Sequence, residues 1–230
     1  MNNYKAEAAK AALEFIKAGQ VIGLGAGATI FHLADGITQK TNLSSSVVFT
    51  SSSFKTIQYL QSRGLNIQAP ALIKELDIYF DGCDQFDEEL NALKSGGGIH
   101  TTEKILASAA KEFILIGDEG KFTSQLNTTY PVVVEILPQA LQIVLATLTS
   151  FFPDAKITLR MSNQKDGAVI SDNGNLLADV YFSHLTDLEK LNRQLKMIPG
   201  VVEHSLFYRM ATKAVVCGEQ GVRIINPKKL

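Results

Sequence analysis

Short apolar runs and helically spaced apolar stretches follow one another along the first half of this chain. The run QVIGLG reads as a strand, and ATIFHLADGIT after it has the spacing of a helix. SSVVFTSSS and FKTIQYLQSRG repeat the pair, and LNIQAP is a candidate short strand. LDIYFDG alternates apolar and polar residues as a strand does; TTEKILASAAKE then reads as a helix, and FILIGDEGK as a strand with its loop. Such alternation predicts an open, mostly parallel sheet covered by helices. Ahead of it, NNYKAEAAKAALEFIKAG reads as an amphipathic helix, with Gly19 as its C-cap.

From Tyr130 the order changes. PVVVEIL is a strand, PQALQIVLATLTSFF a helix, and ITLRM and ISDNGNLLADVYF are strands around a turn at Asn173-Gly174. LTDLEKLNRQLKMI is a helix and VVEHSLFY a strand. This β-α-β-β-α-β order predicts a split βαβ, ferredoxin-like module. AVVCGEQGVRII reads as a hairpin returning to the first domain. The expected division is therefore residues 1–129 with 206–230 in an α/β domain, and residues 130–205 in a smaller α+β domain.

Composition removes several classes of function. At 230 residues and 46% hydrophobic, the chain has material for a substantial core. A net charge of −1 argues against nucleic-acid binding by bulk charge. No 18-residue apolar stretch occurs, so no membrane span is expected, and the N-terminal helix lacks a signal peptide's apolar core. Cys83 and Cys217 lack disulfide or metal spacing, and the four histidines are scattered. The expectation is a soluble cytoplasmic protein without metal or cofactor.

Gly23-Leu24-Gly25-Ala26-Gly27-Ala28 fits the glycine fingerprint of dinucleotide sites. An NAD site also calls for an acid about 20 residues on, to hold the ribose. Between Asp35 and Glu75 there is none, so a smaller anion at the helix N-terminus is the better functional reading. Equally, the glycines could serve only a tight strand-to-helix turn. Thr50-Ser51-Ser52-Ser53 could face an anion too, but a polar loop with a helix cap accounts for it.

GAGAT, TSSS, DGCD and DEGK all follow predicted parallel strands, which places them on one carboxyl edge, where ligands bind in such sheets. Asp81 and Asp84 would share a crevice with the glycine loop, while Asp87, Glu88 and Glu89 would form a solvated face. Lys94 can neutralise an anionic oxygen, and Gly96, Gly97 and Gly98 allow a nest of backbone donors. Glu103 falls in the first turn of a helix capped by Thr101 or Thr102; acids there commonly just complement the dipole. Lys121 is either a cation at this edge or an ordinary surface lysine.

Together, DGCDQFDEELNALKSGGG, TTEKILASAAKEFILIGDEGK, PVVVEILP, SDNGNLLADV and IPGVVEHSLF resemble the ribose-5-phosphate isomerase A family over nearly the whole chain. The resemblance implies interconversion of ribose 5-phosphate and ribulose 5-phosphate, in the non-oxidative pentose phosphate pathway, without a cofactor. It also implies a Rossmann-like domain, a smaller α/β domain, and a homodimer or homotetramer. Glu103 aligns with the proton-transferring glutamate. Asp81, Gly82, Cys83, Asp84, Lys94, Ser95, Gly96 and Gly97 match the surroundings of the sugar, and Lys121 a substrate-binding lysine. Gly25, Ala26, Gly27, Ala28 and Thr29 match the phosphate turn.

Three departures stand out. The family's turn usually reads G-T-G-S-T, so Ala26 and Ala28 lack two hydroxyls; Ser95 replaces a glycine, and Cys83 stands where alanine is common. The two alanines motivate an alternative, a non-catalytic sugar-phosphate sensor with the same fold. Retention of Asp81, Asp84, Lys94 and Glu103 favours an enzyme. In that reading Glu103 is the shuttling base and Lys94 stabilises the enediolate oxygen. Asp81 and Asp84 orient hydroxyls and assist ring opening, and Lys121 binds a hydroxyl or the phosphate.

Overall fold

The computed structural model describes residues 3–228. Helix α1 (Tyr4–Ala12) is followed by β1 (Val21–Leu24), α2 (Ala28–Gln39), the single turn α3 (Thr41–Ser44), β2 (Val48–Ser51) and α4 (Phe54–Ser62). Strand β3 (Leu76–Asp81), the short β4 (Gln85–Phe86) and β5 (Ala92–Leu93), α5 (His100–Ala109) and β6 (Ala110–Asp118) complete the first half. Next come β7 (Val132–Ile136), α6 (Leu141–Phe151), β8 (Lys156–Leu159), β9 (Leu176–Tyr181), α7 (Leu188–Lys196) and β10 (Val201–His204). The chain ends in β11 (Leu206–Phe207), β12 (Lys213–Gly218) and β13 (Gly221–Ile225).

Six strands form the main sheet, in the order β13-β12-β6-β3-β1-β2. All neighbours are parallel except the terminal β12–β13 hairpin. The period-2 alternation of β6 explains why the sheet is covered on both faces. Ile114 and Ile116 pack with α1, α2 and α4, whereas Phe113 and Leu115 pack with Leu106 and Ala107 of α5. From β1 the chain moves outward to β2, then returns to place β3 on the other side of β1. The carboxyl ends of β1 and β3 therefore flank the point where strand order reverses, the usual crevice of such sheets.

A second, antiparallel sheet has the order β10-β7-β9-β8, that of the anticipated split βαβ module. Val132, Val134 and Ile136 of β7 face its own core with Val144, Leu148, Leu191 and Leu195. The alternate residue Glu135 is fully buried on the opposite face. There it accepts from Thr101 of α5 and from Ser171, Asn173 and Asn175 of the turn before β9. A small third sheet, β11-β5-β4, pairs the chain's return segment with the loop after β3.

Several local expectations are corrected. The first helix ends well before Gly19, which sits at φ +79° in the turn leading to β1. LNIQAP makes one parallel bridge, Phe49 with Ile67, rather than a strand. The β8–β9 connection has a turn at Ser171–Asn175, as anticipated, and an earlier one closed by Ser162 N to Gly167 O. Asp87 is not part of a solvated face. It is buried, accepts from the Glu89 and Asn91 amides and the Asn91 side chain, and burial raises its pKa despite those bonds. Glu88 and Glu89 do lie at the surface, paired with Lys228 and Arg209.

Candidate active site

Strand β3 delivers Asp81 to the switch point with its side chain almost wholly buried. The carboxylate is held from four directions. Oδ1 accepts from the Gly82 amide at 2.7 Å and the Ala26 amide at 3.2 Å. Oδ2 accepts from the Tyr79 hydroxyl at 2.6 Å and pairs with Lys94 Nζ at 2.8 Å. The glycine turn rests directly on this group: Gly25 N donates to Phe80 O at 2.8 Å. A Cβ at Gly25 would lie 1.9 Å from Asp81 Cγ, so a glycine is needed there by close approach.

Lys94, buried at the end of β5, is the centre of the cluster. Besides Asp81, its ammonium reaches Glu103 Oε1 at 3.3 Å, donates to Gly82 O, and lies 5.8 Å from the centre of the Phe207 ring. Burial opposes its charge, but Asp81 and Glu103 outweigh burial and hold its pKa above that of an ordinary lysine. Glu103 responds differently. Burial, aided by Asp81 and opposed by Lys94, raises its carboxyl to about 8. Two carboxyls and one ammonium thus share a closed space, and the proton this arrangement favours sits on Glu103.

Glu103 owes its position to α5. That helix starts at His100 with Ile99 as a cap that makes no side-chain bond, so neither Thr101 nor Thr102 caps it. Thr101 instead spends its hydroxyl on Glu135, tying the first turn to β7. One residue beyond Glu103, Lys104 makes a separate set of contacts. It donates to the carbonyls of His204 at 2.6 Å and Leu206 at 2.8 Å, and pairs with Glu203 at 3.0 Å. The contacts of Thr101 and Lys104 thereby fix the first turn of α5, and Glu103 with it.

Asp84 organises the lysine loop. Its Oδ2 accepts from the amides of Ser95 at 2.6 Å and Gly96 at 3.0 Å, so the glycine nest is here filled by an internal carboxylate. Gly97 and Gly98 take φ of +68° and +71°, which carries the chain from that nest into α5. The Ser95 hydroxyl donates to Pro131 O at 2.5 Å, away from Lys94, and the Ser95 carbonyl accepts from Arg160 at 2.9 Å. Lys121 donates to the Cys83 carbonyl at 2.5 Å, which places it beside Gly82 and Cys83. Cys83 is buried, and burial pushes its thiol up to about 12.

At the mouth, Gly27 is the N-cap of α2 with φ +102°, and it makes no side-chain bond there. The first intrahelical bond runs from Phe31 N to Gly27 O, so the amides of Ala28, Thr29 and Ile30 precede it. Gly27 and Ala28 are exposed, while Thr29 is largely buried. In the TSSS run, Ser53 caps α4 through the Thr56 amide, as the cap reading anticipates. Ser52 is not accounted for by a cap, because its hydroxyl meets the Tyr79 hydroxyl at 3.2 Å. No group of three or more histidine, cysteine or acidic side chains suited to a metal occurs among the described residues.

The structure thus joins Gly25, Ala26, Asp81, Gly82, Lys94 and Glu103 in one contact network, with Asp84, Cys83, Gly96 and Lys121 at its border. Tyr79 and Ser52 were not singled out from sequence. A signal existed: Tyr79 lies two residues before Asp81 on a strand, and so on the same face.

This chain matches the model of the family ribose 5-phosphate isomerase A (phosphoriboisomerase A) over residues 48–221. A ribose-5-phosphate isomerase A from Methanosarcina acetivorans is 34% identical over 226 residues, 98% of this chain and 95% of its own length. That of Thermosynechococcus vestitus is 37% identical over 212 residues, 90% and 88% of the two chains. Among solved structures, ribose 5-phosphate isomerase A from Methanocaldococcus jannaschii superposes with a TM-score of 0.89 at 31% identity, over 97% of this chain and 98% of that one. A D-ribose-5-phosphate isomerase in complex with phospho-erythronic acid does so with a TM-score of 0.91 at 34% identity, over 98% and 100%. The chain therefore belongs to the ribose-5-phosphate isomerase A family.

Proposed function

We propose that this protein interconverts D-ribose 5-phosphate and D-ribulose 5-phosphate by proton transfer through an enediolate. One observation carries the reading: Lys94 bridges Asp81 and Glu103 at the switch point of the sheet, and the proton affinity of Glu103 is raised. In the ring-opened aldose, Glu103 takes the proton from C2. The electron pair of that C–H bond becomes the C1–C2 double bond, and charge develops on O1. The Lys94 ammonium faces that oxygen. Glu103 then returns the proton to C1 as the proton of O2 passes to O1 and the C2 carbonyl forms. No redox partner is required by this balance.

The remaining roles follow from the hydrogen bonds. Asp81, saturated by four donors, holds Lys94 in place and fixes the Gly25–Ala26 turn. Asp84 and the Lys94–Gly97 loop, with Lys121, border the hydroxyl-bearing carbons, and the amides at the start of α2 with Thr29 take the phosphate. A phosphorylated sugar acid, as bound by one relative, carries a phosphate and a planar anionic carboxylate, the charge pattern of an enediolate phosphate. The relatives matched over nearly the full chain are named as isomerases, which leaves the sensor alternative without support.

The same reading keeps the division at residues 129–130 and 205–206, because the four-stranded sheet draws its strands from Val132 to His204. It places the enzyme in the non-oxidative pentose phosphate pathway and in the cytoplasm, where two buried free thiols stay reduced. A homo-oligomer is favoured by exposed apolar side chains such as Ile143, Phe151 and Met197. No helix among the described residues is long and apolar enough to cross a membrane.

The deciding experiment is an assay of purified protein with ribose 5-phosphate, following ribulose 5-phosphate without added cofactor. Turnover is expected; binding of the sugar phosphate without turnover would overturn the reading. The phosphate turn has its own test. Ala28 is exposed at the first helical position of α2, where a serine hydroxyl would add a donor to a charged group, a contact of about 1.5–3 kcal/mol. Ala28→Ser is expected to lower KM about tenfold with kcat little changed, because the phosphate is remote from the reacting carbons. An unchanged or raised KM in a folded variant would mean that residue 28 does not face the phosphate.

A further inference from the structure

Tyr79 is fully buried, and its ring fills the space left by a glycine: a Cβ at Gly23 would lie 2.6 Å from Tyr79 Cδ2. The ring also packs against Phe113, with centroids 5.3 Å apart. For packing alone a phenylalanine would serve, and it would avoid burying a hydroxyl that must then be satisfied. The hydroxyl is satisfied on both sides. It donates to Asp81 Oδ2 at 2.6 Å and meets Ser52 Oγ at 3.2 Å. The same Oδ2 pairs with Lys94. A continuous polar chain therefore runs from the end of β2 through β3 to the lysine loop and α5: Ser52, Tyr79, Asp81, Lys94, Glu103.

We propose that Tyr79 is a positioning residue for the proton transfer, its phenol, steadied by Ser52, fixing Asp81 and through Asp81 the Lys94 ammonium that faces Glu103. The inference rests on the reading of Glu103 as the base. Its direction follows from who shares Oδ2. With the phenol present, part of the Asp81 charge is satisfied by a neutral donor. Without it, that charge concentrates on Lys94 and draws the ammonium toward Asp81. Support for an ionised Glu103 weakens, and the direct repulsion from Asp81 grows. Both effects favour the protonated base, so they add rather than cancel.

Other titratable groups packed on α5 are engaged elsewhere. Glu135 on β7 holds Thr101; on β10, Glu203 and His204 meet Lys104, and the Glu203 carbonyl meets His100. From the β3 side the groups near Glu103 and Lys94 are Asp81, Tyr79 and Cys83. Strand β3 and the lysine loop thus carry the charges that set the proton affinity of Glu103.

The test is kcat/KM against pH from about pH 6 to 9.5 for the wild type, Tyr79→Phe and Ser52→Ala, with thermal melts of each. Tyr79→Phe is expected to move the acidic limb upward by about half a pH unit, lowering kcat/KM about threefold at pH 7 and converging on the wild type at the alkaline end. Ser52→Ala is expected to move the limb the same way by less. A folded Tyr79→Phe whose limb superposes on the wild type overturns the proposal, as does a loss of equal size at every pH. Should Tyr79→Phe fail to fold, Ser52→Ala decides: an unmoved limb overturns the proposal, an upward shift supports it. Failure of the underlying reading looks different, since Glu103→Gln would then stay active whatever Tyr79 does.

Discussion

Glu103→Gln is expected to lower kcat about a thousandfold while KM stays within about twofold of the wild type. Glutamine keeps the shape of the side chain and an acceptor for Lys94 Nζ, which lies 3.3 Å from Glu103 Oε1. What it cannot do is take a proton from carbon. On the proposed reading substrate binding falls to the α2 amides and the loop around Lys94, which the change leaves in place. The fold should also survive, because the change removes a buried carboxyl whose pKa burial has raised to about 8.

The sign of the pH dependence follows from the same value. A base must be ionised to act, so kcat/KM in the wild type should rise with pH on approaching 8 and level off above it. An exposed glutamate, ionised from about pH 5 upward, would give a flat profile over that range. Solvent-deuterium exchange at C2 should disappear together with turnover in the variant. Near-normal turnover in folded Glu103→Gln, with exchange intact, would place the base elsewhere.

How much of this could be read from the sequence depended on whether the signal was local. The strands announced themselves by alternation, and their polar ends marked the carboxyl edge. That was enough to put Asp81 and Asp84 on one edge with the glycine loop, while Lys94 and Glu103 stayed open to a bland reading. The family motifs then gave roles that spacing alone had left open. Features that need a third dimension were not legible. Asp87 looks like its acidic neighbours in a string, yet the tight turn to Asn91 folds it inward. Thr101 looks like a cap, but β7 brings Glu135 against it from more than thirty residues away. Tyr79 read as one more apolar step of a strand, because nothing in the string says that Ser52 lies across from it.

Gly25→Ala tests whether the phosphate turn and the proton-transfer cluster are one object. The added Cβ would fall 1.9 Å from Asp81 Oδ1 and 2.4 Å from Oδ2, far inside contact distance. Asp81 has little freedom to retreat, being held by Tyr79, Lys94 and two amides. Either the turn lifts, losing the Gly25 N to Phe80 O bond and the Ala26 contact, or Asp81 swings away and releases Lys94. Overpacking of this kind costs roughly 1–3 kcal/mol of stability, a modest drop in melting temperature for a chain of this size. The catalytic loss should be out of proportion to it, because a shift of about 1 Å in a positioned group can cost about a hundredfold in rate. We therefore expect kcat/KM to fall at least about a hundredfold, with both parameters affected: KM through the turn, kcat through Lys94. Glu103→Gln, which touches only the proton, should change kcat alone. A folded Gly25→Ala enzyme within a few-fold of wild-type kcat/KM would show that the turn and Asp81 move independently, and would remove the basis for treating them as a unit.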